Sequence, residues 1–319
     1  RRFKPSLILK IGLTVLVLWL VVRGIDFQRL GRVILGADVW LVTFAVLYTV
    51  ALNGIKPFRW LWLVRSVVPD ANYRVALRST LFGAGARLVL PSKLGEFGRV
   101  LEVPGLKILT GVGLTALDML MEIVAAFFLA IPGALIFAGP ELAAVFVLLT
   151  VLTTVALFWP HRVLFPLAKL PRLGRLHNKL SAMQEVVHLI GKPTLAKGIG
   201  VSLVLNGIRF SQLYVLFVAL GSLPEAPAVL CFPLIQMADG FPLTVGGVGV
   251  REWLSMQVLP TYGILAEAAV AAVFLQFIIS NLLPGIVGWW IIFRGRAEAG
   301  AKIREAVATA MAGRAASSR

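Results

Sequence analysis

Leu52-Asn53-Gly54-Ile55-Lys56 returns 153 residues later as Leu205-Asn206-Gly207-Ile208-Arg209. Behind the first copy comes Pro91-Ser92-Lys93-Leu94-Gly95-Glu96-Phe97-Gly98-Arg99. Behind the second comes Pro242-Leu243-Thr244-Val245-Gly246-Gly247-Val248-Gly249-Val250-Arg251. Proline, then apolar-Gly-x-apolar-Gly, then arginine recurs at an offset of 151, with one extra residue before the second arginine. Two matches in the same order and at nearly one spacing read as an internal duplication. Repeat 1 covers about 39–138 and repeat 2 about 198–293.

The repeats lie in a chain that cannot be water-soluble. Of 319 residues, 59% are apolar and only 14% charged, against about 25% charged in an average soluble domain. Apolar stretches occupy 7–22, 39–55 running on toward 64, 76–90, 108–138, 141–159, 198–220, 226–245 and 264–293. At about 20 residues per spanning helix, an all-α polytopic membrane protein follows. The chain is expected to form a single membrane domain over 1–319, because no soluble-looking block separates the runs. The N-terminal stretch has the charged-then-apolar look of a signal peptide, but no small-x-small cleavage site follows, so it is read as a retained first helix. The lone Cys231 excludes an internal disulfide.

Net charge is +16, which in a soluble protein would point to nucleic acid. Here the basic residues alternate in blocks. Twenty-two fall before the first helix, after the second, within 160–197 and in the tail, whereas the other loops carry only Arg23, Arg29 and Arg32. The positive-inside rule reads this as both termini cytoplasmic. Topology and anionic lipid account for the charge, and no nucleic-acid partner is needed. The bias requires six full crossings, provided that 76–104 and 226–260 each enter and leave on one face. On that topology the two Asn-Gly helices run in opposite directions, the inverted arrangement of many secondary transporters. The Pro/Gly segments then read as two re-entrant broken-helix hairpins whose tips meet near the midplane, since non-helical backbone at membrane depth survives only against protein or water. The alternative is a pair of long interfacial loops.

The hairpins carry the chemistry. Arg87, Lys93, Glu96 and Arg99 lie on the first, and Asp239, Arg251 and Glu252 on the second. Ionisable groups in hydrocarbon face cavities and pair with one another. Arginines and exposed amides at a hairpin tip suit phosphate or another anionic headgroup. The substrate-binding candidates are therefore Arg87, Lys93, Glu96, Arg99, Arg251 and Glu252, with Lys56 and Arg59 gathering headgroups at the cytoplasmic mouth or simply snorkelling. Pro91, Gly95, Gly98, Pro242, Gly246, Gly247 and Gly249 are the hinge and backbone-donor positions. Asp118 and Glu122 share one helix face. They are candidates for proton coupling, with Asp239 a further candidate coupling residue, or else Asp118 and Glu122 are structural partners of Arg87 or Arg99. Asn53 and Asn206 are read as helix-packing residues. The stretch 160–197 reads as a basic amphipathic segment on the inner leaflet, and 294–319 as a cytoplasmic tail. His161, His177 and His188 have no metal-ligand spacing. No nucleotide-binding, hydrolase or zinc signature is present, so neither a metal nor a cofactor is called for.

With these motifs the sequence resembles the flippase-like family named for the transmembrane region of lysylphosphatidylglycerol synthase. The carrying residues are 52–60, Leu90 through Arg99, and Phe241-Pro242 with Gly246 through Glu252. The resemblance implies a polytopic protein of the bacterial or archaeal cytoplasmic membrane. It also implies a role in moving, or helping to make, lipids such as aminoacylated phosphatidylglycerol, polyprenyl-linked sugars or hopanoids. Pro91, Gly95, Glu96 and Arg99, with Pro242, Gly246, Gly249 and Glu252, match its core motifs. Many members carry Glu-Arg-x-x-Asp where this chain has Asp118-Met119-Leu120-Met121-Glu122, without the arginine. The soluble aminoacyl-transferase domain of the bifunctional synthases is missing, so the chain is not expected to make lysyl-lipid by itself. The leading expectation is a translocator of anionic or phosphate-bearing lipid working through a cleft between the hairpins. The alternatives are a non-transporting lipid-binding or scaffold subunit beside lipid-biosynthesis enzymes, and a membrane-embedded transferase using Glu96 or Asp118 as base. Lipid identity, direction, energy source and oligomeric state are not encoded in any motif.

Overall fold

A computed structural model of the protein describes residues 23–89, 92–159, 189–237 and 249–294, together with Gly12, Trp19 and Val187. Most of the expected first helix, the segment 160–186 and the tail from 295 lie outside the described residues, as do His161, His177 and His188. So do Pro91, the side chain of Lys93, Asp239, Pro242, Gly246 and Gly247.

Every regular element among the described residues is helical. A surface helix, α1 (Phe27–Leu35), starts where Asp26 accepts hydrogen bonds from the Gln28 and Arg29 amides. Asp38 caps α2 (Val39–Arg65) in the same way, through the Trp40 amide at 2.8 Å and the Leu41 amide at 3.2 Å. α2 runs on through Pro57, which has no N–H to give the Asn53 carbonyl one turn back. α3 (Tyr73–Val89) folds back on a 3₁₀ segment, Ser92–Glu102. α4 (Ile108–Ala138) and α5 (Pro140–Phe158) form a hairpin joined by Gly139 alone, at φ 87°, a conformation that favours glycine. α6 (Lys192–Ala219) follows, then the short α7 (Ala226–Leu230) and α8 (Phe232–Gln236), α9 (Val250–Val258), and α10 (Ala266–Arg294). A π-helical turn, Ile278–Leu282, interrupts α10; such turns concentrate at functional sites.

Among the described residues five helices, α2, α4, α5, α6 and α10, are long and apolar enough to cross a membrane. Their outer faces expose Trp40, Phe44, Leu47, Phe128, Leu148, Val151 and Trp290, an apolar jacket that water would not tolerate. The order of long helix, short helical segments and long helix occurs twice, as α2–α3–3₁₀–α4 and as α6–α7–α8–α9–α10. α2 and α6 pack against each other antiparallel. Thr49, early in α2, meets Gln212, late in α6, and Arg59, late in α2, meets Ser202, early in α6. Two apolar clusters hold the bundle. Trp60, Leu63, Leu114, Leu117, Met121 and Leu195 belong to one, and Leu213, Phe217, Phe232, Ile235 and Val273 to the other.

Where α3 crosses α10 the backbones touch. A Cβ on Gly288 would lie 1.9 Å from the Leu81 carbonyl oxygen and 2.6 Å from the Gly85 nitrogen. Gly288→Ala is therefore expected to destabilise the protein by at least ~1–3 kcal/mol, because neither backbone can yield cheaply. Gly207 has nothing within 4 Å of its built Cβ, so Gly207→Ala is expected to be neutral or to gain up to ~1 kcal/mol of helix propensity. Unfolding midpoints of the two variants in detergent micelles check the contrast.

Candidate functional site

A carboxylate buried at the junction of four segments organises the centre. Asp118 of α4 accepts from Arg59 Nε at 2.6 Å and Nη2 at 3.1 Å, and from Arg99 Nη1 at 2.9 Å. All three side chains are essentially inaccessible. Arg59 also donates to Ser202 Oγ of α6 at 2.5 Å and reaches Glu122 at 3.4 Å. The Arg99 guanidinium lies 4.0 Å from the ring centroid of Trp60, whose indole N–H donates to Ser79 Oγ. Stacking in a desolvated site adds ~2 kcal/mol to a cation's hold. The spacing of the motif makes this possible. Gly95 sits against α3, where a Cβ would fall 2.2 Å from the Arg87 nitrogen. The 3₁₀ segment therefore lies flat on α3 and carries Glu96 and Arg99 inward.

Beside this anchor is a cavity of about 290 Å³ lined by both halves of the chain. Leu52, Asn53 and Lys56 of α2 and their counterparts Leu205, Asn206 and Arg209 of α6 all line it. So do Arg87, Glu96, Arg99, Glu122 and Arg251, with Gln236, Gln276, Ser280 and Asn281 on the remaining wall. Five cations (Lys56, Arg87, Arg99, Arg209, Arg251) thus face two carboxylates (Glu96, Glu122) among the described lining residues. Two of the ion pairs are long: Lys56–Glu96 and Arg209–Glu122, each at 3.5 Å. Arg87 holds Glu96 at 3.2 Å and also donates to Asn281 of the π turn. Arg99 Nη2 has no hydrogen-bond partner among the described residues. The cavity is a cationic pocket with a carboxamide and hydroxyl wall.

The two Asn-Gly helices make matching bonds. Asn53 Nδ2 donates to the Thr49 carbonyl at 2.8 Å, and Asn206 Nδ2 to the Ser202 carbonyl at 2.9 Å. Between the helices, Arg59 donates to Ser202, and Gln212 donates to Thr49 Oγ1 at 2.8 Å. Arg59 and Gln212 are 153 apart, as are Thr49 and Ser202. Position i of α2 therefore bonds position j of α6, and the reverse.

The structure gathers Lys56, Arg87, Glu96, Arg99 and Arg251 around one space. Other expected residues stand elsewhere. Arg59 neither snorkels nor lines the cavity, because Asp118 and Glu122 supply its counter-charge in the interior. Glu252 accepts from the Gly249 amide at 2.7 Å and lies 3.9 Å from Arg251, so it caps α9. Of the alternatives for Asp118, the structural partnership is with Arg99, joined by Arg59, and Glu122 pairs with Arg59 and Arg209 rather than with Arg87. Asn53 and Asn206 pack as expected but also border the cavity. Arg209, Gln236, Gln276, Ser280 and Asn281 were not singled out by sequence. Their signal was a polar residue isolated in an apolar run, which the interior of a membrane bundle rarely tolerates without a role.

The family described as the lysylphosphatidylglycerol synthase TM region matches residues 7–288, and no curated protein matches the chain. The chain belongs to that family: it is a multi-pass membrane protein with a role connected to membrane lipid.

Asp118→Ala strands two buried guanidinium groups, and removing one partner of a buried network is worth ~3–5 kcal/mol. Glu122→Gln keeps a hydrogen-bond acceptor at a partly accessible site and is expected to lose no more than ~1.5 kcal/mol. Denaturant unfolding in micelles, followed by tryptophan fluorescence, measures both.

Proposed function

We propose that the protein is a lipid translocator that moves an anionic or phosphate-bearing lipid through the cationic cavity while the lipid's tails stay in the bilayer. The observation that carries this reading is the cluster of Lys56, Arg87 and Arg209 around Glu96 and Glu122, with Arg99 beside them, in a pocket walled by membrane-spanning helices. Each charge at the bilayer centre opposes insertion by ~2.5–3.5 kcal/mol, so such a cluster is retained for a ligand of opposite sign. Arg99 Nη2 supplies a donor without a protein partner. Lys56 and Arg209 hold their carboxylates only at 3.5 Å and can exchange them for a phosphate. Arg59 and Arg99, at 2.6 and 2.9 Å from Asp118, keep the frame closed meanwhile.

In this reading the two copies form an inverted repeat, supported by the antiparallel α2–α6 pair and its reciprocal bonds. α3 with Ser92–Glu102, and α7–α8 with α9, are re-entrant segments that bring Gly95, Gly98 and Gly249 to membrane depth. The chain 1–319 forms one membrane domain. Both termini lie on the cytoplasmic side of a bacterial or archaeal inner membrane, as the basic blocks require. With no nucleotide site in the sequence, movement is passive or driven by an ion gradient or the membrane potential. The partners are anionic lipids and the enzymes that make them.

Reconstituted vesicles carrying fluorescent phosphatidylglycerol test the proposal. Lys56→Gln/Arg209→Gln removes two cavity cations without touching the Asp118 anchor, and is expected to slow movement at least tenfold, a loss of ~1.4 kcal/mol in the barrier-lowering interaction. Arg29→Gln, on the exposed α1, is expected to leave the rate unchanged. Wild-type protein that binds the lipid but moves it no faster than empty vesicles would favour the scaffold subunit. A double variant as fast as wild type would remove the cavity from the mechanism.

A further inference from the structure

Arg74 and Arg78 stand one turn apart on α3, and Trp290 and Arg294 one turn apart on α10. The two pairs line an open groove of about 330 Å³ with Leu77 and Leu81 between them. The groove is separate from the central cavity. The Arg294 guanidinium lies 4.1 Å from the ring centroid of Trp290, a stack that leaves its N–H edge facing out. Arg78 is tied to Glu102 at 2.6 Å, whereas Arg74 and Arg294 are exposed. Among the described residues three arginines therefore meet one carboxylate. They do so beside the last described turn of the apolar span Ala266–Arg294. Phosphates of the bilayer and amphipathic aromatics such as Trp290 lie at that depth. Arginine binds phosphate through a fork of donors, and the leucines offer an apolar trough for an acyl chain.

We propose that this groove binds an anionic phospholipid from the bilayer and is the port from which its headgroup reaches the central cavity. Along α10 the order is cavity (Gln276, Ser280, Asn281), then the crossing at Gly285 and Gly288, then groove (Trp290, Arg294). Along α3 the groove residues 74–81 lead into a crossing made by Leu81, Gly85 and Leu88, and the cavity residues Thr80, Gly83 and Arg87 lie on the adjoining face. At the crossing the backbones of Gly85 and Gly288 touch, and the Leu88 side chain packs on Gly285. The polar tie between the helices, Arg87 to Asn281, involves the very arginine that an arriving phosphate would engage. A headgroup in the groove thus has Arg87 ahead of it, and reaches it when α3 and α10 part at this crossing. The port rests on the translocation reading; the lipid site does not.

The test uses the full chain in phosphatidylglycerol-containing nanodiscs with a photoreactive phosphatidylglycerol, and a phosphatidylcholine probe with the same tails. The anionic probe is expected to label peptides 74–81 and 290–294 as well as 52–56 and 205–209. Arg74→Gln/Arg294→Gln should lower groove labelling at least fivefold, and the zwitterionic probe should label the groove no better than that variant. A Cβ on Gly285 would lie 2.7 Å from Leu88 Cγ, so Leu88→Cys/Gly285→Cys in a Cys231→Ala background can bridge the crossing. When oxidised, this pair should keep groove labelling and lose cavity labelling, which reduction restores. Equal groove labelling by both probes, or labelling indifferent to the arginine variant, overturns the site. Cavity labelling that survives oxidation overturns the port. A wild-type groove labelled beside a cavity that is never labelled defeats both the port and the translocation reading, while the lipid site stands.

Discussion

Asp118 is the point on which the interior turns. Its two oxygens take three N–H donors from Arg59 and Arg99, and through them it joins α2, α4, the 3₁₀ segment and, by way of Ser202, α6. A buried ion network of this kind contributes little net stability compared with well-packed apolar side chains, because desolvation offsets most of the attraction. Its effect is specificity of arrangement. It fixes the azimuth of α2 against α4 and holds the 3₁₀ segment at the depth where Glu96 and Arg99 meet Lys56 and Arg209. With Nη1 committed to Asp118, Arg99 keeps Nη2 for something else.

The helices α2 and α6 use one hydrogen-bond frame with different chemistry. In the first, Arg59 reaches Asp118 and Ser202. In the second, Gln212 takes the place of Arg59, bonds Thr49, accepts from Ser280 at 2.7 Å, and sits 3.5 Å from Gln276. An ionic half therefore faces a carboxamide half across the cavity. The cations Lys56, Arg87, Arg99, Arg209 and Arg251 all line the cavity. A symmetric frame with asymmetric charge gives a pocket with one strongly attracting wall and one that donates and accepts neutral hydrogen bonds.

Much of this was legible in the sequence. The repeated Leu-Asn-Gly-Ile marks equivalent turns of α2 and α6, and the apolar runs located the long helices within a few residues, because hydropathy and helix length are the same constraint in a bilayer. The Pro/Gly motif announced a break between α3 and the 3₁₀ segment, and Gly95 shows why: only glycine fits against the Arg87 backbone. What the sequence withheld were pairings across long separations. Arg59 looked like a cation at a helix end, but it stands 59 residues from the carboxylate that buries it, and no local pattern encodes that partner. Gln276, Ser280 and Asn281 were hidden because a single amide or hydroxyl scarcely lowers the hydropathy of an apolar helix. The π turn that presents Ser280 and Asn281 depends on tertiary packing rather than on propensity.

The central claim is that a cation-rich cavity inside the membrane bundle receives an anionic headgroup. An experimental structure in nanodiscs containing phosphatidylglycerol addresses it most directly. The account predicts headgroup density within hydrogen-bonding reach of Arg99 Nη2, between Lys56 and Arg209, with their links to Glu96 and Glu122 lengthened. A cavity holding no headgroup at saturating lipid, with both links drawn shorter instead, would contradict it.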